Sequence, residues 1–308
     1  MTSRAAENIV SLSRNREGQL RDYFERLRAR YNRPEFIYSD PLCVAYEWSE
    51  GSEREAAGLI AAWLSSGRAS NIVDSSRRLL GLLTLDGRLS IGESVEGSSM
   101  REIRERLQDF KYRWLDSLTL AAALRALGLV TSAHGGAMAA LGSFDDPAEE
   151  TLIPAVRGLS GALESQAWAL LEESGAEERN FRALKWLFSD PSRGGTAKRW
   201  MMWLRWFVRE DEVDPGGHSE LGAHRLLVPL DTHVFRISTY LGLSSRKTPN
   251  IRAAEEITAA LRLLTPTDPL RYDFSIARIG ILGHCPARVS KRICTPCALF
   301  PVCRAAVA

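Results

Sequence analysis

The sequence predicts an all-α protein divided into two helical lobes. Apolar residues recur three or four positions apart along most of the chain, and alternating strand patterns are scarce. Polar segments rich in proline and glycine separate the helical stretches. The 308 residues are enough for a sizeable core and for two lobes.

The helical pattern is clearest in six stretches. They cover residues 55–64, 118–127, 181–188, 197–208, 253–264 and 274–282. Residues 189–195 form a tight polar connection between two of these helices, and residues 214–222 form a longer loop. Residues 145–175 are helical in pattern but suggest no role.

The composition is that of an ordinary globular protein, with 45% hydrophobic and 25% charged residues. No apolar run reaches the roughly 18 residues of a membrane span, and the N-terminus lacks the apolar core of a secretory signal. We therefore expect a cytoplasmic protein with no membrane partner. The net charge of +2 neither requires nor excludes nucleic acid, because the local distribution of charge decides phosphate binding.

Four of the five cysteines lie close together at the C-terminal end: Cys285, Cys294, Cys297 and Cys303. In a cytosolic protein such a group indicates metal binding rather than disulfides. The intervals of eight, two and five residues are asymmetric, whereas zinc knuckles contain two close pairs. The spacing favours a [4Fe–4S] cluster and leaves zinc as the alternative. Cys43 is isolated and is expected to be a small core residue.

A second motif begins at Asp231-Thr232. The pattern is that of an N-cap opening an amphipathic helix, with Val234, Ile237 and Leu241 on one face. On this local pattern alone, a purely structural capping role for Asp231 is the simpler interpretation.

Both motifs resemble the endonuclease III-like DNA glycosylase superfamily. Residues 230–237 read Leu-Asp-Thr-His-Val-Phe-Arg-Ile and are similar to the Val-Asp-Thr-His-Ile-Phe-Arg-Val segment of endonuclease III. The superfamily's cysteine intervals are six, two and five, so this chain has two extra residues in the first. The resemblance implies that Asp231 is the catalytic carboxylate, that the cysteines hold a [4Fe–4S] cluster, and that Lys291 and Arg292 contact DNA phosphate.

The hairpin expected in that superfamily is altered. No Leu-Pro-Gly-Val-Gly occurs, and residues 185–199 instead read as a helix, a polar hairpin with Gly194 and Gly195, and a second helix. The altered hairpin is similar to that of archaeal 8-oxoguanine glycosylase, and the resemblance implies that the glycine amides hold phosphate and that Lys198 is the nucleophile. A surface lysine that contacts phosphate is the alternative for Lys198, followed by Lys185 or Lys111 as the nucleophile.

Residues 54–70 resemble the superfamily helix whose following loop fills the gap left by a flipped base. Gly67 stands where a glutamine is expected, so Arg68 becomes the candidate for this role. Trp200 and Trp203, on the helix after Lys198, are interpreted as core rather than as a base-stacking platform.

The resemblance to the superfamily, within it to an uncharacterised bacterial branch, implies the two-lobed helical DNA glycosylase fold. A six-helix barrel lobe with the modified helix-hairpin-helix would cover residues 52–212. Residues 1–51 and 223–308 would form a second lobe with the [4Fe–4S] cluster loop. The expected function is base excision repair by a nucleoid-associated monomer, which removes a damaged base, expected to be an oxidised one, from double-stranded DNA and has AP lyase activity. The alternative is a non-catalytic iron–sulfur protein that binds DNA lesions or structures.

Overall fold

The computed structural model describes residues 14–297 and 299–307, and this part of the chain is all-α, as predicted. It contains no β-strand and only isolated bridges. The helices are α1 (Arg14–Tyr31), α2 (Leu42–Tyr46), α3 (Ser52–Trp63), α4 (Ala69–Leu83), α5 (Ile91–Gly97), α6 (Met100–Arg106), α7 (Ser117–Thr131), α8 (Ala137–Gly142), α9 (Ile153–Glu173), α10 (Glu178–Phe188), α11 (Lys198–Val208), α12 (Thr232–Tyr240), α13 (Ile251–Leu264), α14 (Asp273–Ile281), α15 (Lys291–Cys294) and α16 (Arg304–Val307). Short 3-10 helices cover Pro34–Ser39, Pro191–Arg193, Ser219–Leu221, Ala223–Arg225 and Phe300–Val302.

Each of the six stretches with clear periodicity is a helix, namely α3, α7, α10, α11, α13 and α14. Side-chain caps fix several of the helix starts. Asp116 caps α7 and Asn250 caps α13 by accepting backbone N–H groups of the first turn. These short-range signals are what sequence reasoning detects, because the cap and the helix it begins are neighbours in the chain.

The described residues form two compact units: one contains those up to 36 and those from 194 onward, and the other contains 37–193. The first unit packs α1, α12, α13 and α14 round a common core. Phe24 of α1 stacks on Tyr272 with ring centroids 5.0 Å apart. A Cβ on Gly280 of α14 would lie 2.6 Å from the Cβ of His233, so glycine lets α12 approach closely.

The second unit is built round α7, which packs against α5, α6 and α9. Ala121, Ala122 and Leu124 of α7 are fully buried, and burial of the leucine side chain contributes roughly 1.5–3 kcal/mol. Gly128 lies directly against the backbone of Val95, where any larger residue would clash. Cys43 is buried in this unit, which confirms its expected place in a core.

Helix α11 belongs to the unit that contains the C-terminal helices, whereas the sequence placed it in a lobe over 52–212. Two buried arginines explain its position. Arg205 pairs with Asp214 and Asp273, at 3.0 and 2.8 Å, and Arg209 pairs with Asp214 and with Asp268. A buried arginine is tolerated only beside such partners, so these ion pairs tie α11 to the start of α14.

Within the described residues, no helix has the length and apolar character needed to cross a membrane.

Candidate functional site

All four C-terminal cysteines line a single pocket in the first unit. Its other lining residues are mostly apolar side chains from α12, α14 and the C-terminal segment. They are Ile237, Tyr240, Leu241, Ile279, His284, Pro286, Val289, Leu299, Phe300, Ala305 and Ala306. The sequence placed these cysteines in one loop, and the structure brings them to one place.

Three of the four cysteines are positioned by short local elements. Cys285 lies shortly after α14, and its N–H donates to the carbonyl of Ile279 over 2.9 Å. Cys294 is the last residue of α15, whose start is at Lys291. Cys303 directly follows the 3-10 helix Phe300–Val302, so Cys294 and Cys303 both lie at the end of a short helical segment.

Helices α12 and α1 hold the cysteine segment from outside. Arg236 of α12 donates to the carbonyl of Cys285 over 2.7 Å, and the hydroxyl of Tyr240 donates to the carbonyl of Ala287 over 2.7 Å. Arg16 of α1 donates to the carbonyls of Leu241 and Val302. These bonds fix the main chain on both sides of the pocket.

Two of the four thiols, those of Cys285 and Cys297, sit in an environment that disfavours the bare thiolate. Burial raises the pKa of Cys285 to about 11, and the other three cysteines act in the same direction, whereas Arg236 lowers it. Burial also raises the pKa of Cys297, against the amides of Leu299 and Phe300 that donate to its sulfur. A bound metal would compensate the charge of the thiolates, because metal ligation requires their deprotonated form.

The donor set fits a sulfur-ligated metal group. Four soft thiolate donors in a largely apolar pocket suit iron–sulfur clusters and zinc. N–H groups aimed at sulfur are a recurrent feature round such groups, and here the amide of Ser290 lies 3.4 Å from Cys294 Sγ. Among the described residues, no three His, Cys, Asp or Glu side chains converge on the position of one ion. The thiols therefore surround a pocket rather than a single point.

Asp231 is the N-cap of α12, as predicted. Its Oδ1 accepts the backbone N–H groups of His233 and Val234, each over 2.8 Å. The side chain is half-buried. It also lies near the buried carboxyl of Asp273, whose pKa is raised first by burial and further by Asp231, while Arg205 lowers it.

Lys198 is the first residue of α11 and is half-buried. The residue before it, Ala197, has a left-handed φ of 46°, and Gly194 has a φ of 82°. Gly194 and Gly195 are exposed, with open space where a Cβ would lie. Lys198 and Asp231 thus occupy the N-terminal ends of two helices of the same unit.

A series of contacts relates α11 to Asp231. Arg205 lies seven residues after Lys198 and therefore on the same face of the helix. Arg205 forms an ion pair with Asp273, and the negative charge of Asp231 raises the pKa of Asp273. The Arg205–Asp273 pair could not be found from the sequence, because a single Arg and a single Asp 68 residues apart carry no local signal.

The remaining expected DNA contacts lie in different places. Lys291 and Arg292 are exposed at the start of α15, within the cysteine segment. Arg68 is exposed as the N-cap residue of α4 and belongs to the other unit. Trp200 and Trp203 are buried, with ring centroids 6.0 Å apart, so they belong to the core, as expected.

Comparison with known families identifies a match over residues 40–282 to the family described as "Protein of unknown function (DUF2400)". The chain belongs to this family. The match ends before Cys285, so the cysteine segment lies outside it. No curated protein and no solved structure matches the chain.

The expected membership of the endonuclease III-like superfamily is therefore wrong, because the matching family is a distinct one. That expectation rested on two short motifs. Asp is a common N-cap residue in proteins of any family, and Asp231 does cap α12. The cysteine intervals also departed from the superfamily pattern by two residues, and its hairpin sequence was missing.

Proposed function

We propose that this chain is an iron–sulfur protein that removes a damaged base from duplex DNA. Cys285, Cys294, Cys297 and Cys303 would hold one [4Fe–4S] cluster, while Asp231 and Lys198 would carry the chemistry. The single observation that supports the proposal most is the pocket lined by all four cysteines. When bound, the cluster would supply a rigid, charged centre that holds the C-terminal segment in place.

The carboxylate of Asp231 supports a chemical role because the cap holds it in a fixed position. Its Oδ1 accepts both backbone N–H groups. A fixed carboxylate can stabilise the positive charge that develops on a deoxyribose as its glycosidic bond breaks.

Lys198 would act as the nucleophile. Its neutral amine attacks C1′, and the C1′–N bond breaks with its electron pair leaving on the base nitrogen, which takes up a proton. Opening of the sugar ring then gives a protonated Schiff base between Nζ and C1′. Loss of a proton from C2′ expels the 3′ phosphate, which is the lyase step. An oxidised purine is the proposed substrate class.

A second candidate is a non-catalytic protein that binds DNA lesions. The capping role of Asp231 favours it, because a carboxylate that satisfies two helix N–H groups has a sufficient structural reason to be there. In this case Lys198, Lys291, Arg292 and the amides of Gly194 and Gly195 would contact phosphate.

Borohydride trapping on a panel of lesion-containing duplexes tests the catalytic proposal. We expect the wild-type protein to form a covalent complex with at least one duplex and Lys198→Gln to form none. Lys185→Gln is the matched control, since Lys185 is exposed and lies over the ring of Trp168. Trapping by Lys198→Gln but not by Lys185→Gln would move the nucleophile to Lys185. Base release without any trapping would make the enzyme monofunctional.

A further inference from the structure

The tip of a tight turn in the second unit presents an arginine and a tryptophan to solvent. Tyr112 and Leu115 form paired backbone hydrogen bonds of 3.0 and 2.9 Å, which leave Arg113 and Trp114 as the two residues of the turn. Trp114 is 50% exposed. A half-exposed indole presents an apolar, planar face to solvent, which a planar ligand can cover.

The backbone of this turn is held in an unfavourable conformation. Arg113 has a φ of 56°, a region that favours glycine. Such strain persists only where surrounding contacts impose it, and it is concentrated at functional positions. Here the contacts are visible: Arg113 Nε and the hydroxyl of Tyr112 both donate to the carbonyl of Ser66, over 2.9 and 2.8 Å.

The turn packs against Gly67, and this contact explains why a glycine occupies position 67. Gly67 has a φ of 126°, and a Cβ there would lie 3.0 Å from the guanidinium of Arg113. Arg113 therefore packs directly over Gly67, and Arg68 follows as the exposed first residue before α4. The fold thus brings Arg68 and Arg113, which are far apart in the sequence, into the same region of the surface.

The indole of Trp114 has a supported position. Trp186 of α10 contacts it edge-on, with ring centroids 4.8 Å apart and planes at 75°. The guanidinium of Arg113 lies 5.9 Å from the ring centroid of Trp114. An aromatic ring held by one neighbour and flanked by a cation is the arrangement on which an unpaired nucleobase stacks.

The charges beside the ring suit a polyanion. Arg68, Lys111 and Arg113 are exposed, and Asp109 is the exposed acid close by in the sequence. The carboxylate of Asp116 is already engaged by Thr119 and Asn180. An aromatic ring with a cation beside it, on a surface that carries further exposed cations, matches the two parts of a nucleic-acid strand, its bases and its phosphates.

We propose that Arg68, Lys111, Arg113 and Trp114 form a binding surface for an unpaired base of a DNA strand, with the base stacked on Trp114. This inference rests on the proposed function in so far as its partner is DNA. A stacked base inside an intact duplex offers no open face, so the surface would select strands that are opened or single.

Two oligonucleotides of equal length separate stacking from phosphate binding: one of thymidines, and one of abasic sugar–phosphate units. We expect Trp114→Ala to weaken binding of the thymidine strand about tenfold, with no change for the abasic strand. Trp114→Phe should restore most of the affinity, because it keeps an aromatic face. Trp168→Ala is the matched control, since the indole N–H of Trp168 is bonded to Glu172, and it should bind like the wild type.

Equal affinity of Trp114→Ala and the wild type for the thymidine strand would overturn the inference, as would equal losses for both strands. A change of oligomeric state in Trp114→Ala without a change in DNA affinity would make the surface a contact between copies and would also overturn it. The outcome is distinguishable from failure of the proposed function. If the wild type traps lesion duplexes but its strand binding does not depend on Trp114, the proposed function stands and the binding surface is wrong. If strand binding depends on Trp114 but no duplex is trapped, the binding surface stands and the proposed catalytic function is wrong.

Discussion

The guanidinium of Arg236 donates a hydrogen bond to the main-chain oxygen of Cys285 over 2.7 Å. Arg236 lies on α12, the helix that Asp231 caps. One helix therefore carries the candidate catalytic carboxylate at its start and an anchor for the candidate metal centre in its second turn. Movement of the cysteine segment and of Asp231 should consequently be coupled through α12.

Replacement of Arg236 by alanine should weaken the metal centre. The substitution removes a charge-assisted bond, worth about 1.5–3 kcal/mol, to the loop that begins at Cys285. We expect less iron per chain after gel filtration and a lower melting temperature. Arg262→Ala is the matched control, because Arg262 also donates to a backbone carbonyl, that of His224 over 2.9 Å. Equal iron contents in the two variants would contradict the anchoring role.

Two substitutions at Asp231 separate capping from chemistry. Asparagine caps helices about as well as aspartate, so Asp231→Asn should leave the free energy of unfolding within about 0.5 kcal/mol of wild type. Base release should nevertheless fall by at least about 100-fold, since the charge is gone. Asp231→Ala should lose both the activity and about 1 kcal/mol of stability. Full activity in Asp231→Asn would make the residue a cap alone; single-turnover assays and urea denaturation measure the two effects.

The acid network beneath α11 predicts a pH dependence of stability. Burial opposes ionisation of Asp211, but Arg209 and the amides of Asp214 and Val213 outweigh it and lower the pKa to about 2. A carboxylate with a lowered folded-state pKa contributes stability that is present above pH ~4 and is lost as the pH falls towards 2. Asp211→Asn should therefore be less stable than wild type by about 2 kcal/mol at pH 6.

The difference in unfolding free energy between the wild type and Asp211→Asn should shrink steadily between about pH 4 and pH 2, where the carboxyl of Asp211 takes up its proton. Denaturant unfolding at several pH values measures it, with Asp86→Asn at an exposed turn as the control. A difference that stays constant down to pH 2 would show that the charge of Asp211 does not stabilise the fold.

A side chain at position 67 should destabilise the fold. Gly67→Ala places a Cβ 3.0 Å from the guanidinium of Arg113 at a φ of 126°, so a loss of about 1–3 kcal/mol is expected. Gly97→Ala, at the end of α5 with open space round its Cα, should be neutral or slightly stabilising. Thermal melting of both variants checks this, and similar melting temperatures would contradict the packing of Arg113 on Gly67.

The all-α class, six of the helices and the cap at Asp231 could be predicted because each depends on residues within a few positions of one another. The grouping of the cysteines could be predicted for the same reason. Family membership could not, because short motifs such as Asp231-Thr232 arise wherever a helix needs a cap. The placement of α11 depends on the pairing of Arg205 with Asp273 and of Arg209 with Asp268, which only the folded chain brings together.

The turn at Arg113 and Trp114 shows the same limit. Its sequence contains no glycine at the position with positive φ, so the usual signal of a two-residue turn is missing. The contacts that impose the turn come from Ser66, which lies 47 residues earlier than Arg113. The exposure of Trp114 can therefore be recognised only in the folded structure, in which Arg113 contacts Ser66.

Iron and acid-labile sulfide analysis of protein purified without oxygen, together with its visible absorption spectrum, tests the central claim most directly. We expect about four irons and four sulfides per chain and a broad visible band that bleaches on reduction. A Cys297→Ala variant should lose most of the iron, whereas Cys43→Ala, a change in the other unit, should keep it. Stoichiometric zinc without iron in the wild-type protein would contradict the claim.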